Sequence, residues 1–120
     1  MTEPSAYAQA PPIVREISNV LALTRKLTRP TGRTPDAVRE QLVRKAAVLD
    51  RIALQEAAEY APAVAAKAIE TATDTARKLV QADTADGTTT GPIPASSPTW
   101  GSDPRAYVRQ EYAAWCRSHR

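Results

Sequence analysis

Residue types that commonly mark catalytic or metal-binding proteins are scarce in this chain of 120 residues. Its one cysteine, Cys116, excludes an internal disulfide and a multi-cysteine metal site. Cys116 and His119 together supply too few ligands for zinc. There is no glycine-rich phosphate loop, HExxH or CxxC motif, and no serine, cysteine or acidic pair has a spacing that supports catalysis. We therefore expect no enzymatic activity, no cofactor and no metal.

Long apolar segments are also missing. The longest apolar runs are only a few residues, whereas a membrane-spanning helix needs about 20. Residues 1–12 have neither a basic nor an apolar region of the kind found in secretory signals. We expect a soluble, cytoplasmic protein that does not bind membranes.

Glycine is absent from the middle of the chain. The segment from Asp36 to Asp86 contains no glycine and one proline, Pro62, and alanine is by far its commonest residue. Such a segment is typical of helix. We predict an all-α fold: an antiparallel helical hairpin or three-helix bundle, followed by a mobile linker and a short aromatic helix.

Capping residues and apolar spacing place the helices at about residues 13–29, 35–60, 63–83 and 103–117. The sequences Thr34-Pro35-Asp36 and Asp103-Pro104 are start signals, and Pro62 predicts a kink or a short break. The first helix has an apolar face at helical spacing: Ile13, Ile17, Val20, Leu21 and Leu27.

The remaining segments have the composition of unstructured chain. Residues 1–12 are predicted to be a disordered arm, and residues 84–102, rich in Thr, Pro, Ser and Gly, a flexible linker. The predicted units are therefore a helical domain at 13–83 and a separate amphipathic helix at 103–120.

A stripe of small residues with coiled-coil-like spacing runs from Leu54, near the end of the second predicted helix, to Leu79 in the third. Small side chains let helices approach closely but bury little surface, so the stripe needs a partner with larger side chains. That partner is the first helix or a second copy of the chain. A high alanine content alone would also produce such a stripe.

Aromatic residues are concentrated at the end of the chain, where five residues are candidates for binding a partner: Trp100, Tyr107, Val108, Tyr112 and Trp115. A short aromatic helix after a linker is typical of a peptide that docks into a groove. The alternative is a latch that folds back onto its own bundle.

Basic residues are concentrated between Arg25 and Arg51, where eight of them stand against three acids. Seven are candidates for nucleic-acid contact: Arg25, Lys26, Arg29, Arg33, Arg39, Arg44 and Lys45. The first turn of the second helix is acidic, which suits a phosphate backbone poorly. We therefore favour a non-enzymatic interaction or scaffold protein, with a small nucleic-acid-associated regulator as the alternative.

Overall fold

The computed structural model describes residues 5–119, whose regular secondary structure is entirely helical. Four α-helices pack against one another, which confirms the predicted all-α bundle. They are α1 (Ile13–Leu27), α2 (Pro35–Glu59), α3 (Pro62–Asp86) and α4 (Pro104–Ser118). Three 3-10 turns span Ser5–Tyr7, Pro30–Gly32 and Pro98–Gly101. The parts of the predictions that concern residues 1–4 and 120 lie outside the described residues.

The helix ends follow the local signals. Thr34 Oγ1 accepts a hydrogen bond from the Ala37 amide at 3.1 Å, and the Asp103 carboxylate accepts one from the Ala106 amide at 3.3 Å. A proline follows each of these two N-caps and supplies a suitable φ without removing a needed donor. Gly87 ends α3 with φ of 64°, a left-handed conformation that favours glycine.

Two extended residues, Tyr60 and Ala61, separate α2 from α3, with ψ angles of 165° and 150°. Pro62 therefore begins a new helix, so the kink or break predicted there is a break. Arg39, near the start of α2, contacts Asp83, near the end of α3. The two helices consequently form an antiparallel hairpin.

Helix α1 is also antiparallel to α2. As the chain advances from Glu16 to Thr24 along α1, the residue contacted on α2 moves back from Arg44 to Gln41. The fourth helix completes the bundle by packing against both α2 and α3. It is part of the same packed unit and not a separate helix beyond a linker.

The core combines alanines on the long hairpin with aromatic rings from elsewhere. Ala46, Ala47 and Ala76 are fully buried, which lets α2 and α3 approach closely. Rings beside this seam contact one another, and their centroids are 5.6 Å apart for Tyr7–Tyr112 and 5.3 Å apart for Trp100–Tyr107. The large side chains needed by the small-residue seam therefore come from the same chain.

The small-residue stripe is largely covered within the chain. Its buried members are Ala65, Ala72, Thr75 and Leu79, while Leu54 and Ala68 are half-buried and Ala58 and Ala61 are exposed. Because α3 packs along α2, most of the stripe is not available to a second copy. The pattern identified a seam and left its occupant open, and within this chain α3 packs against α2.

Residues within 5–12 and 84–102 pack against the bundle, whereas a disordered arm and a flexible linker were predicted for these segments. Tyr7 is 2% exposed and Trp100 is 7% exposed. The Trp100 indole donates to the Pro94 carbonyl at 2.9 Å, and the Thr90 amide donates to the Glu111 carboxylate at 2.7 Å. Composition underestimated this packing because side chains elsewhere in the fold satisfy the backbone groups of these loops.

Candidate interaction surfaces and the buried charge network

The five residues predicted to bind a partner lie toward the interior of their own chain. Trp100, Tyr107, Val108 and Tyr112 are buried, and Trp115 is half-buried. The aromatic helix therefore packs against its own bundle. Helix α4 is held there by four buried acids, which define the charge network of the bundle: Glu16, Asp50, Asp83 and Glu111.

Asp50 on α2 joins the N-terminal segment to α4. Its carboxylate accepts hydrogen bonds from the Tyr7 hydroxyl at 2.5 Å, Arg105 Nε at 2.6 Å and Arg109 Nε at 2.8 Å. Burial and the neighbouring Asp50 charge raise the pKa of the Tyr7 phenol. The two arginines compensate the buried carboxylate, so this cluster is suited to holding three segments together.

Arg39 on α2 bridges two buried acids. Its guanidinium donates to both carboxylate oxygens of Asp83 at 2.8 Å and to Glu111 at 2.7 Å. The Tyr107 hydroxyl also donates to Asp83. Burial opposes ionisation of Asp83, but the bonds from Arg39, Thr88 and Tyr107 outweigh it and hold the pKa of the carboxyl below its usual value.

Glu111 on α4 satisfies the backbone of the loop that precedes α4. It accepts hydrogen bonds from the Thr90 amide, the Thr90 hydroxyl and the Gly91 amide at 2.7–2.9 Å. Burial opposes its ionisation as well, but these donors and Gln110 lower the pKa of its carboxyl. A buried carboxylate thus takes the place of a secondary-structure partner for this loop.

Glu16 is the only fully buried residue of α1. Arg44 Nε donates to it at 2.9 Å, and the Tyr112 hydroxyl donates to it at 3.2 Å. The Arg44 guanidinium also lies over the Trp115 ring, 4.4 Å from its centroid. The buried carboxylate of Glu16 therefore attaches α1 to α2 and α4. The apolar spacing of α1 had instead predicted that aliphatic side chains make this contact.

The network divides the seven basic residues predicted to contact nucleic acid. Arg39 and Arg44 point into the bundle and are paired with buried acids. The other five are exposed: Arg25, Lys26, Arg29, Arg33 and Lys45. Four of these five lie together at the end of α1 and in the loop that follows it.

A ridge of large aliphatic residues on α1 is exposed. Val14 is 78% exposed, Leu21 is 53% exposed and Ile17 is 37% exposed. We call these three residues the α1 ridge. The apolar spacing of the sequence predicted an amphipathic helix whose apolar face packs inward, and that predicted face did not include Val14. The signal in the sequence was the uneven charge of this helix, which has three basic residues and one acid, Glu16.

A second exposed apolar patch lies where α2 meets α3. Tyr60 is 54% exposed and Val64 is 58% exposed. Glu59 and Glu70 are exposed close by in the sequence, and Lys67 is the one basic residue of residues 56–70. We call residues 56–70 the hairpin tip. It is apolar and acidic, whereas the α1 ridge is apolar with a basic flank.

An open cleft of about 410 Å³ lies between the start of α2, the end of α4 and the Thr88–Thr90 loop. His119 at its rim stacks on Trp115 with ring centroids 4.5 Å apart. Arg39 in its wall is already paired with Asp83 and Glu111. Within residues 5–119, no three His, Cys, Asp or Glu side chains converge as metal ligands.

No helix of the described part combines the length and apolarity needed to cross a membrane. Comparisons with protein-family models, with curated proteins and with solved structures found no match for this chain.

Proposed function

We propose that this chain is a non-enzymatic, cytoplasmic interaction module that binds a helix of a protein partner through the α1 ridge. The observation that carries the proposal is the exposure of Val14, Ile17 and Leu21 on a helix whose one fully buried residue is an acid. A single cysteine, Cys116, accords with a reducing compartment.

The ridge has the spacing by which one helix recognises another. Val14, Ile17 and Leu21 follow an i, i+3, i+7 pattern, which places them on one side of α1. Full burial of an aliphatic side chain contributes about 1.5–3 kcal/mol, so these residues retain much unused burial energy. A cluster of exposed aliphatics is typical of an interaction site.

The ridge is presented on a fixed support. The salt bridge between Glu16 and Arg44 has an N–O distance of 2.9 Å, and both side chains are largely buried. Helix α1 is thereby attached to α2 before any partner binds. A preorganised surface loses less conformational entropy on association than a flexible peptide does.

The test compares Leu21→Glu with Ala22→Glu, a matched exposed position on the same helix. Each variant and the wild type are used to capture cross-linked proteins that are identified by mass spectrometry. We expect wild type and Ala22→Glu to retain the same partner and Leu21→Glu to lose it, with thermal melts unchanged. Equal retention by all three proteins would contradict the proposal.

A second candidate function is sequence-independent binding of nucleic acid. The supporting observation is the exposure of four neighbouring basic residues: Arg25, Lys26, Arg29 and Arg33. Four phosphate contacts would make the logarithm of the affinity fall with the logarithm of salt with a slope of about −3.6 on duplex DNA. Retention on a nucleic-acid column over a salt gradient tests this, and absence of retention at low salt would exclude it.

A further inference from the structure

The exposed flank of the α1 ridge has one sign of charge. Arg15, Arg25 and Lys26 are exposed on α1, and its single acid, Glu16, is buried against Arg44. Two α1 helices packed against each other would bring basic residues close to basic residues. Like-charge juxtaposition opposes such a contact, so a symmetric pairing of two ridges is disfavoured.

The hairpin tip has the complementary properties. Tyr60 and Val64 provide exposed apolar surface, and Glu59 and Glu70 are exposed acids of the same segment. With three acids and one base, Lys67, the tip is a net acidic apolar segment, which complements an apolar ridge with a basic flank both in burial and in charge. Both surfaces belong to one chain, but they lie on different helices.

We propose that the occupant of the α1 ridge is the hairpin tip of a second copy of this chain. This inference rests on the proposed function, since it identifies the partner of the same ridge. The contact is heterologous, because two different surfaces of the same molecule meet. A ring forms if the rotation between copies closes, and an open chain forms if it does not.

The geometry of α1 favours this occupant over a lipid surface. An interfacial helix inserts a broad apolar face into the headgroup region. Here part of the apolar face of α1 is covered, since Val20 and Leu27 are half-buried, and a narrow ridge remains. A narrow ridge suits a partner helix with small side chains, and the tip provides exposed alanines at positions 61, 63 and 66.

The size of the contact sets the concentration at which it forms. A helix of 15 residues is about 22 Å long, so a contact along α1 is smaller than the standard interface of about 800 Å² per partner. We therefore expect weak association, detectable at about 0.5 mM protein and absent at about 10 μM.

Sedimentation velocity on the full chain tests the pairing with two disruptive variants. Leu21→Glu places an acid on the ridge, and Val64→Lys places a base on the tip. The matched controls are Ala22→Glu and Gln81→Lys, which alter exposed positions on the same two helices outside the ridge and the tip. We expect wild type and both controls to associate at about 0.5 mM, and each disruptive variant to remain monomeric with an unchanged melting temperature.

Mixing the two disruptive variants gives the decisive result. The Leu21→Glu chain keeps an intact tip and the Val64→Lys chain keeps an intact ridge, so the mixture should form a one-to-one dimer. Raising the salt from about 0.05 to 0.5 M should weaken all of these associations, because it shortens the screening length. A mixture that stays monomeric, or association that is insensitive to salt, would overturn the pairing.

Failure of this inference can be told apart from failure of the proposed function. A monomeric wild type that still captures a different protein through Leu21 would overturn self-pairing and leave the ridge as an interaction site. Co-sedimentation with vesicles of phosphatidylglycerol and phosphatidylcholine that Leu21→Glu abolishes, without self-association, would overturn the inference in favour of a membrane surface. Loss of both protein capture and self-association in wild type would overturn both proposals.

Discussion

Arg39 is the position at which a single substitution should test the charge network most directly. Arg39→Met keeps a long side chain but removes the cation that bridges Asp83 and Glu111. These acids are 2% and 0% exposed, so the substitution leaves two buried carboxylates without their shared cation. Removing one member of a buried ion pair lowers the free energy of unfolding by about 3–5 kcal/mol. For a chain of this length, we expect the melting temperature to fall by about 10–20 °C.

The loss should depend on pH with a definite sign. In the folded protein the pKa values of Asp83 and Glu111 lie below their usual values. Each acid therefore contributes stability that is present above about pH 4 and is lost as the pH falls through the folded pKa. Burial raises the pKa of each carboxyl and hydrogen-bond donors lower it. Without Arg39 fewer donors remain, so the pKa values of both carboxyls in the folded protein rise. The difference between wild type and Arg39→Met should thus be largest near pH 7 and shrink toward pH 3.

Urea and thermal unfolding followed by far-ultraviolet circular dichroism provide the measurement. The matched control is Arg77→Met, which removes an exposed arginine 3.5 Å from Asp74. Exposed pairs contribute little, so this control should cost at most about 0.5 kcal/mol. The reasoning is refuted if the two variants lose the same free energy of unfolding, or if the loss in Arg39→Met grows toward acid pH.

Three further predictions follow from particular positions. Gly87→Ala should lower the free energy of unfolding in urea titrations by about 1–2 kcal/mol, because the φ of Gly87 is left-handed. Gly101→Ala, with open space around the residue, should leave the free energy of unfolding nearly unchanged, and equal losses in the two variants would contradict this. Truncation before Trp100 should abolish cooperative unfolding in calorimetry, since it removes buried aromatic rings; an unchanged melt would show that the tail is not internal. Leu79→Ala should lower the free energy of unfolding by about 2–5 kcal/mol, and Val14→Ala should lower it by less than about 0.5 kcal/mol. Similar losses in the two variants would show that the α1 ridge is buried in a core.

The helices were predictable because their signals are local. Thr34 and Asp103 cap the helices that begin one residue later, and Gly87 ends α3 at the residue where its left-handed φ is required. These signals act within one turn of helix, so they can be read without knowing the fold. At Pro62 the local signals were compatible with either a kink or a break. The extended conformation of Tyr60 and Ala61 shows that the helix breaks there.

The candidate site was only partly predictable. Helical spacing identified the apolar face of α1 but not its direction, since Glu16 and not Ile17 faces the interior. The sequence drew attention to the aromatic residues near the C-terminus, but whether such residues contact a partner or their own bundle depends on what lies opposite. The hairpin tip was missed because Tyr60 and Val64 carry no periodic pattern.

The amino-acid sequence alone determined the helical class of this protein, the starts and stops of its helices and the absence of a recognisable catalytic motif. These properties depend on residues that are neighbours in the chain. The tertiary structure decided which charges are buried and which aliphatic residues remain exposed. Arg39 bonds to Asp83 and Glu111 across separations of 44 and 72 residues. Such pairing follows from how the helices pack, because burial is a property of residues that are distant in sequence and close in space.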